Sequence, residues 1–169
     1  MARVLTIILF LSLIFPPQVD QPLIIVNKAT NELAMFNEHK EQLRFPVATG
    51  KTEALTPEGL FTVLVKAEDP YYRKLDTPGG DPRNPLGSRW IGFDAKGTDG
   101  RIYGIHGTNR PESIGSMVSQ GCIRMLNQDV EALFERVPKG VKVWVVNEEQ
   151  SFESLYNQYL KNAWSEMLE

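Results

Sequence analysis

The sequence predicts a mostly β domain, a β-sandwich or flattened barrel, with a short helix near the candidate site and an amphipathic helix at the C-terminus. Three observations predict this fold class. Short apolar segments separated by turn residues occupy most of the chain. One long segment rich in proline and glycine interrupts them, and helix signals occur only around residues 128–136 and beyond residue 147. At 169 residues the chain is long enough for one domain with its own core.

The N-terminus has the features of an export signal. Met1-Ala2-Arg3 is a short basic start, and residues 4–15 are almost wholly apolar. This run is too short to cross the roughly 30 Å hydrocarbon core of a bilayer, and it suits the central region of a secretory signal peptide. The alternative is a buried N-terminal strand or helix, and no Ala-x-Ala cleavage site is visible. We predict a signal peptide or hydrophobic leader at residues 1–20, with membrane contact only through this leader if it is not removed.

Residues 21–147 are predicted to form the β domain. Two apolar segments, 23–26 and 33–36, lie on either side of the polar residues 29–32, a connection of hairpin length. Thr56-Pro57-Glu58-Gly59 is a predicted turn, because proline fixes φ and glycine tolerates a positive φ. The other expected strands are residues 43–49, 60–66, 101–105 and 141–146.

Residues 66–89 are predicted to be a long loop, because they contain four prolines and three glycines. A stretch of this length without regular structure inside a domain is more often a binding loop or lid than a linker. We expect Tyr71, Tyr72 and Trp90 to line a groove together with this loop. Ordinary surface packing is the alternative.

Two segments are predicted to be helical. Residues 128–136 form a short helix, with Asn127 as its N-cap and Pro138-Lys139-Gly140 at its end. Residues 148–169 form a C-terminal helix packed on the domain, because apolar side chains recur there at helical spacing. A membrane-surface helix is the alternative, but the five glutamates of this segment have the wrong sign for anionic lipid head groups.

Composition excludes several classes of function. The net charge is −3 and the pI is about 5.5, so that no basic surface is expected for nucleic acid. A single cysteine cannot form a disulfide within the chain. One cysteine and two histidines do not supply the usual ligands of a tetrahedral zinc site, and we expect no metal. The expected oligomeric state is a monomer.

The single cysteine and one of the two histidines are candidates for a catalytic pair. Cys122 lies sixteen positions after His106, which ends an expected strand. A thiolate is the reactive form of cysteine, and an imidazole can take the proton of the thiol. Gly121 lacks a Cβ, so that its amide and that of Cys122 could face an oxyanion. Taken singly, each residue has a structural alternative, an inert buried thiol or a histidine that only donates a hydrogen bond.

Arg124 has two interpretations. It either holds a substrate carboxylate bidentately or pairs with an acid such as Asp129 and fixes the loop, and we favour the structural role. Asn127 is interpreted as a helix cap rather than a catalyst, and His39 as an exposed turn residue.

Several short motifs occur together in this chain. They are Thr56-Pro57-Glu58-Gly59-Leu60-Phe61, Asn84-Pro85-Leu86-Gly87, His106-Gly107-Thr108-Asn109, Ser113-Ile114-Gly115, Ser119-Gln120-Gly121-Cys122-Ile123-Arg124-Met125 and Asn127. The set resembles the signature of the L,D-transpeptidase catalytic domain family, of the YkuD type, over roughly residues 22–147. One departure is Gln120, which stands where many members have a histidine.

The resemblance implies roles for individual residues. Cys122 would be the acylated nucleophile, and His106 its base and then the acid for the leaving amine. A backbone carbonyl, here that of Gly107, would orient the imidazole, and Gly121 would shape the site around the nucleophile. The side chains expected to contact substrate are Ser119, Arg124, Tyr103, Tyr72 and Trp90.

The resemblance also implies a reaction on bacterial peptidoglycan. Cys122 would attack the bond between the L-centre of a stem peptide, commonly diaminopimelate, and its D-alanine. The acyl group would pass to an amine, giving a 3–3 crosslink or D-amino acid exchange, whereas water would give an L,D-carboxypeptidase. No cofactor is required, the partners are stem peptides and carbapenem-type inhibitors, and the protein would be extracytoplasmic, secreted or associated with the cell envelope of a bacterium.

Two other classes of protein are considered. A sortase or another cysteine protease also uses cysteine and histidine, but the sixteen-residue spacing and an Arg124 only two residues after Cys122 are not typical of sortases. The second is a non-catalytic wall-binding module that keeps only the fold.

Overall fold

The computed structural model describes residues 22–167, so the leader predicted at residues 1–20 lies outside the described residues. The described range contains ten strands and two α-helices, connected by loops and three short 3-10 turns. The strands are β1 (Leu23–Asn27), β2 (Glu32–Asn37), β3 (Lys40–Pro46), β4 (Thr49–Gly50), β5 (Gly59–Glu68), β6 (Arg89–Phe93), β7 (Tyr103–His106), β8 (Met117–Ser119), β9 (Ile123–Arg124) and β10 (Lys142–Val146). The helices are α1 (Asn127–Arg136) and α2 (Phe152–Met167).

Eight of these strands form one curled sheet in the order β3-β2-β1-β10-β5-β6-β7-β9, and β4 pairs with β8 beside it. Two pairs of neighbouring strands in the large sheet are parallel, β1 with β10 and β7 with β9. The other neighbouring pairs are antiparallel. The predicted mostly β fold class is confirmed, with the sheet curled into half of a barrel. Neither helix within residues 22–167 is long and apolar enough to cross a membrane.

The hairpin of β1 and β2 is apolar on both faces of the sheet, because each face packs against a core. Along β1, Ile24 and Val26 face one core, and Leu23 and Ile25 face the other. Successive strand residues point to opposite faces, so a strand that is buried on both faces has a continuous apolar sequence. The predicted hairpin is therefore present, with β1 and β2 antiparallel.

The larger core lies between the inner face of the curled sheet and α1. From the helix, Val130, Leu133 and Phe134 enter this core at helical spacing. Burial of each such side chain contributes roughly 1.5–3 kcal/mol to folding. This packing fixes α1 beside β6 and β7.

The smaller core lies on the outer face, under α2. The aromatic ring of Tyr156 stacks on that of Phe36 with 4.4 Å between centroids, and Leu155 is fully buried. The guanidinium of Arg44 lies 4.8 Å from the ring centroid of Phe152. The C-terminal helix thus packs on the domain through an apolar face.

Several elements differ from the sequence expectation, and the short strands β8 and β9 were not predicted. The strand expected at residues 43–49 ends at Pro46, and the chain resumes as β4, which pairs with β8. The expected loop ends in a strand that was not predicted, β6, because Gly92 within it gives a loop signal. The segment expected to be a strand from residue 101 becomes one only at Tyr103.

Candidate active site

Three adjacent strands, β6, β7 and β9, carry the side chains that could take part in a reaction. Trp90 pairs with His106, and His106 pairs with Arg124, so that these three residues form one row across the sheet. Paired residues on neighbouring strands project from the same face. If the β7–β9 register is continued by one residue, Cys122 stands opposite Gly104, two positions before His106. The thiol and the imidazole are thereby brought to one face of the sheet.

Trp90 fills a space that two glycines leave open. A Cβ on Gly104 would lie 2.7 Å from Cζ2 of the indole, and a Cβ on Gly92 would lie 2.5 Å from its Nε1. The indole N–H donates to the Gly100 carbonyl at 2.9 Å, and the ring stacks on the imidazole of His106 with 5.6 Å between centroids. Trp90 is 8% exposed, so it supports the histidine instead of lining an open groove as expected.

His106 is held as a neutral imidazole. Burial lowers its pKa to about 4, and the charge of Arg124 acts in the same direction, while hydrogen bonds to the backbone of Gly107 and of Leu86 oppose the shift. The Nδ1 atom lies 2.6 Å from the Gly107 oxygen. Since a carbonyl only accepts, this contact favours the tautomer with the proton on Nδ1. At neutral pH the ring is therefore uncharged and can accept a proton.

Cys122 is half-buried, and its thiol donates to the Ile102 carbonyl at 3.4 Å. Burial raises the pKa of the Cys122 thiol, although the backbone of Gly104 and the charges of Arg124 and Lys74 lower it. The resting cysteine is thus a thiol that requires a base. The position of Lys74, in the loop between β5 and β6, was not anticipated from the sequence.

The loop before Cys122 is fixed by hydrogen bonds. Ser119 Oγ donates to the Cys122 carbonyl at 2.6 Å and accepts from the Gly121 N–H at 3.0 Å. Thr56 Oγ1 donates to the Gly121 carbonyl at 3.1 Å and accepts from the Gly50 N–H. Gly121 has a φ of 126°, and a Cβ there would lie 2.5 Å from the Leu55 oxygen.

The hydrogen bond between Ser119 and Gly121 changes the expected set of oxyanion donors. The Gly121 N–H is engaged by Ser119, so it does not face the site as a free donor. The part of the chain that the structure describes supplies no hydrogen-bond acceptor for the Cys122 N–H.

The two expectations for the residues after Cys122 are wrong. Within residues 22–167 no carboxylate lies within ion-pair distance of the Arg124 guanidinium, so the pair with Asp129 does not form. Asn127 does not cap α1, since Leu126 holds the N-cap position without a side-chain hydrogen bond. Instead, Asn127 Oδ1 accepts from the N–H groups of Thr108 at 3.1 Å and Ser88 at 3.3 Å.

The long loop is compact. The buried amide of Asn84 donates to the carbonyls of Pro70 at 2.8 Å and Pro78 at 3.0 Å, and these bonds close the loop on itself. Tyr72 is tied to Thr77 by two backbone hydrogen bonds. Tyr71 is exposed and bonded to Asp76. Tyr71 is thus exposed and Tyr72 half-buried on a segment closed by hydrogen bonds.

Two further expectations concern Tyr103 and the absence of metal. Tyr103 packs against the larger core, and its ring edge approaches Gly121. No cluster of three or more potential metal-ligating side chains occurs within the described part of the chain.

Comparison with known proteins gives consistent results. A model of the YkuD family, described as the L,D-transpeptidase catalytic domain, matches residues 21–145. The YqjB protein of Bacillus subtilis, named as an L,D-transpeptidase, is 56% identical over 154 residues, which cover 89% of this chain and 88% of that protein. ErfK/SrfK of Escherichia coli, named likewise, is 31% identical over 74% of this chain but only 44% of its own length.

Solved structures show the same fold. A Cys-to-Ser mutant of an Enterococcus faecium L,D-transpeptidase aligns with a TM-score of 0.57 and 26% identity, over 76% of this chain and 51% of that chain. A carbamoyl enzyme formed by avibactam on a related L,D-transpeptidase aligns with a TM-score of 0.58 and 25% identity, over 79% of this chain and 51% of that one.

Proposed function

The chain belongs to the L,D-transpeptidase catalytic domain family, and from this membership we propose that it is a cysteine-dependent acyltransferase that acts on peptidoglycan stem peptides. The proposal is supported by the register of β7 and β9, which, continued by one residue, puts Cys122 opposite Gly104 on the face that carries His106. The Nδ1 atom of His106 lies 2.6 Å from the Gly107 oxygen, and we assign the role of base to Nε2.

In the first half-reaction, the thiol of Cys122 attacks the carbonyl carbon of the L-centre residue while His106 Nε2 takes its proton. The Cys122 N–H, which is not engaged within the loop, stabilises the resulting oxyanion. His106 then gives the proton to the departing D-alanine amine, the C–N bond breaks, and a thioester on Cys122 remains.

In the second half-reaction, an acceptor amine attacks the thioester carbonyl and gives its proton to His106. The C–S bond breaks, and the thiolate of Cys122 recovers the proton. An amine from a neighbouring stem gives a 3–3 crosslink, and a free D-amino acid gives exchange. Water in the same position would make the protein an L,D-carboxypeptidase, which is the alternative function.

Arg124 and Lys74 would bind the carboxylates of the stem peptide. Arg124 is half-buried, lies in the same row as His106, and has no carboxylate partner within the described chain. A guanidinium in this position can hold a carboxylate by two parallel hydrogen bonds. The exposed Tyr71 and the loop that carries it would form one wall of the groove.

Two further proposals concern the inhibitors of the protein and its location. Because avibactam forms a carbamoyl enzyme with a related protein, we propose that carbapenem-type β-lactams acylate Cys122. We also propose that residues 1–20 direct export, since the substrate lies outside the cytoplasmic membrane.

Incubation of the purified protein with a tetrapeptide muropeptide tests the proposal. Mass spectrometry separates a crosslinked dimer, an exchanged D-amino acid and a hydrolysed tripeptide. A Cys122→Ala variant of the same preparation is the control and should give none of them. Wild-type protein that yields no product with amine, D-amino acid or water as acceptor would leave only a non-catalytic module.

A further inference from the structure

One peptide unit beside the site is hydrogen-bonded at both ends. The carbonyl of Gly107 accepts from His106 Nδ1 at 2.6 Å. The N–H of the same planar unit, which belongs to Thr108, donates to Asn127 Oδ1 at 3.1 Å. Hydrogen bonds in series polarise one another. The imidazole of His106 is thus connected to the side chain of Asn127 through a single amide.

We propose that Asn127 is a positioning residue that holds the Gly107–Thr108 peptide and thereby fixes the tautomer and orientation of His106. The inference rests on the proposed function, in which His106 is the base. Cysteine and serine nucleophiles generally require a third group that orients the histidine. Here that group is a backbone carbonyl, and Asn127 is what keeps the carbonyl in place.

The local packing supports a dedicated position for the Asn127 oxygen. A Cβ on Gly87 or on Gly107 would lie 2.1 Å from this atom, so that only glycine allows both loops to approach it. The same oxygen accepts the Ser88 N–H at 3.3 Å. Asn127 therefore joins the chain that enters β6 to the chain that leaves β7.

The histidine is consequently held on its face and at its edge, and the backbone of Leu86 also forms a hydrogen bond with the ring. Trp90, on β6, holds the face of the imidazole by stacking. The Gly107 carbonyl, held by Asn127, fixes its edge at Nδ1. Loss of Asn127 releases the Nδ1 edge of the imidazole, whereas the stacking of its face on Trp90 remains. We therefore expect a change in the tautomer of His106 and in its proton transfer.

The test uses the full chain labelled with ¹⁵N-histidine, in which only His39 and His106 give signals. In the wild type, long-range ¹H–¹⁵N spectra at neutral pH should show His106 as the Nδ1–H tautomer. In Asn127→Ala the two tautomers should mix. The kcat with a tetrapeptide should fall about 10- to 100-fold, as when the outer partners of functional histidines are removed, with KM within about twofold.

Two variants serve as comparisons. Gln128→Ala changes the next residue of α1, which is exposed and forms no side-chain hydrogen bond within residues 22–167, and should match the wild type. Asn127→Asp keeps an oxygen acceptor, so it should fold, restore the tautomer and raise the pKa of His106 through its added negative charge.

Each outcome decides the proposal. It is overturned if Asn127→Ala retains a single wild-type tautomer and kcat, or if Asn127→Asp leaves the pKa of His106 unchanged. Should Asn127→Ala fail to fold, the Asp variant alone decides. The tautomer does not depend on turnover, so a chain without transpeptidase activity would refute the proposed function and still leave the role of Asn127 testable.

Discussion

The two helices pack on the same sheet, but they differ in how their contacts are connected to the site. On the inner face, α1 combines apolar packing with one polar side chain, Asn127, that reaches the loop after His106. On the outer face, α2 packs on a separate apolar cluster that contains no candidate catalytic residue. The comparison teaches that burial alone does not connect an element to the chemistry, whereas a continuous series of polar contacts does.

The aromatic pairs of the two regions show the same difference. Phe36 and Tyr156 stack under α2, where they join the C-terminal helix to the sheet. Trp90 and His106 stack over two glycines, where the same type of contact supports a base. Mutations on the α2 side should therefore change stability, and mutations on the α1 side should change stability and catalysis together.

The largest expected effect is on the pair itself. Cys122→Ala should abolish thioester formation, and His106→Ala should lower its rate on the order of 10³-fold or more. The Cys122 change removes the nucleophile, and the His106 change removes the base. Product masses from a tetrapeptide measure the rate, and circular dichroism should show that the fold is retained. A variant that keeps the wild-type rate would contradict the assigned chemistry.

The next prediction compares one buried leucine from each helix. Leu133 in α1 and Leu155 in α2 are both fully buried. Replacement of either by alanine should lower the free energy of unfolding by about 2–5 kcal/mol, measured by denaturant titration. The kcat should fall about tenfold only for Leu133→Ala, because a shift of α1 moves Asn127 and small displacements at a site are costly. Equal losses of kcat in both variants would remove the distinction between the two helices.

A third prediction concerns acid stability on the α1 side. Burial lowers the pKa of His106 from 6.5 to about 4. Between these pH values the unfolded chain binds a proton that the folded chain does not. His106 therefore contributes stability above pH 6.5 that is lost as the pH falls toward 4, by up to about 3 kcal/mol.

His106→Gln provides the matched control, because it is neutral at every pH. The difference in unfolding free energy between wild type and variant should change by this amount across the window. A difference that is independent of pH would show that the histidine is not buried as a neutral ring.

Much of the fold follows from local patterns, and the missed parts have tertiary causes. The β1–β2 hairpin and the C-terminal helix are encoded by apolar spacing. Gly92, by contrast, marks a loop by its own propensity, and its position in β6 is explained only by the indole of Trp90 and the backbone of Gly100. These contacts depend on how the chain turns between Gly92 and Gly100, and the propensity of single residues does not report that turn.

The candidate site shows the same limit. Cys122 and His106 are identifiable because each residue type is rare in this chain, although their catalytic role stays a prediction. Asn127 carries a helix-cap signal, but its partners are 19 and 39 residues away. The expected Arg124–Asp129 pair is wrong because the chain passes from β9 to α1 between the two residues.

The smallest expected effects come from one conservative change in each aromatic pair. Tyr156→Phe removes only the hydroxyl that lies 3.3 Å from His39 Nδ1. Trp90→Phe keeps an aromatic ring but loses the N–H bond to Gly100 and part of the indole that packs on Gly104. Tyr156→Phe should lower the free energy of unfolding by about 1 kcal/mol, and Trp90→Phe should lower it further because a buried cavity remains. The Trp90 variant should also lower kcat about 3- to 10-fold, since the ring that supports the imidazole of His106 is no longer fixed.

Thermal unfolding and tetrapeptide turnover, measured on both variants, make this the most stringent form of the comparison. Turnover is measured well below the unfolding midpoint of each variant, so that a difference in kcat reports the connection to the site and not the loss of stability. If Tyr156→Phe lowered kcat as much as Trp90→Phe, the outer face would be coupled to the chemistry through the sheet itself. If neither changed kcat, the stacking of Trp90 would be packing alone, and the position of His106 would depend on its Nδ1 contact.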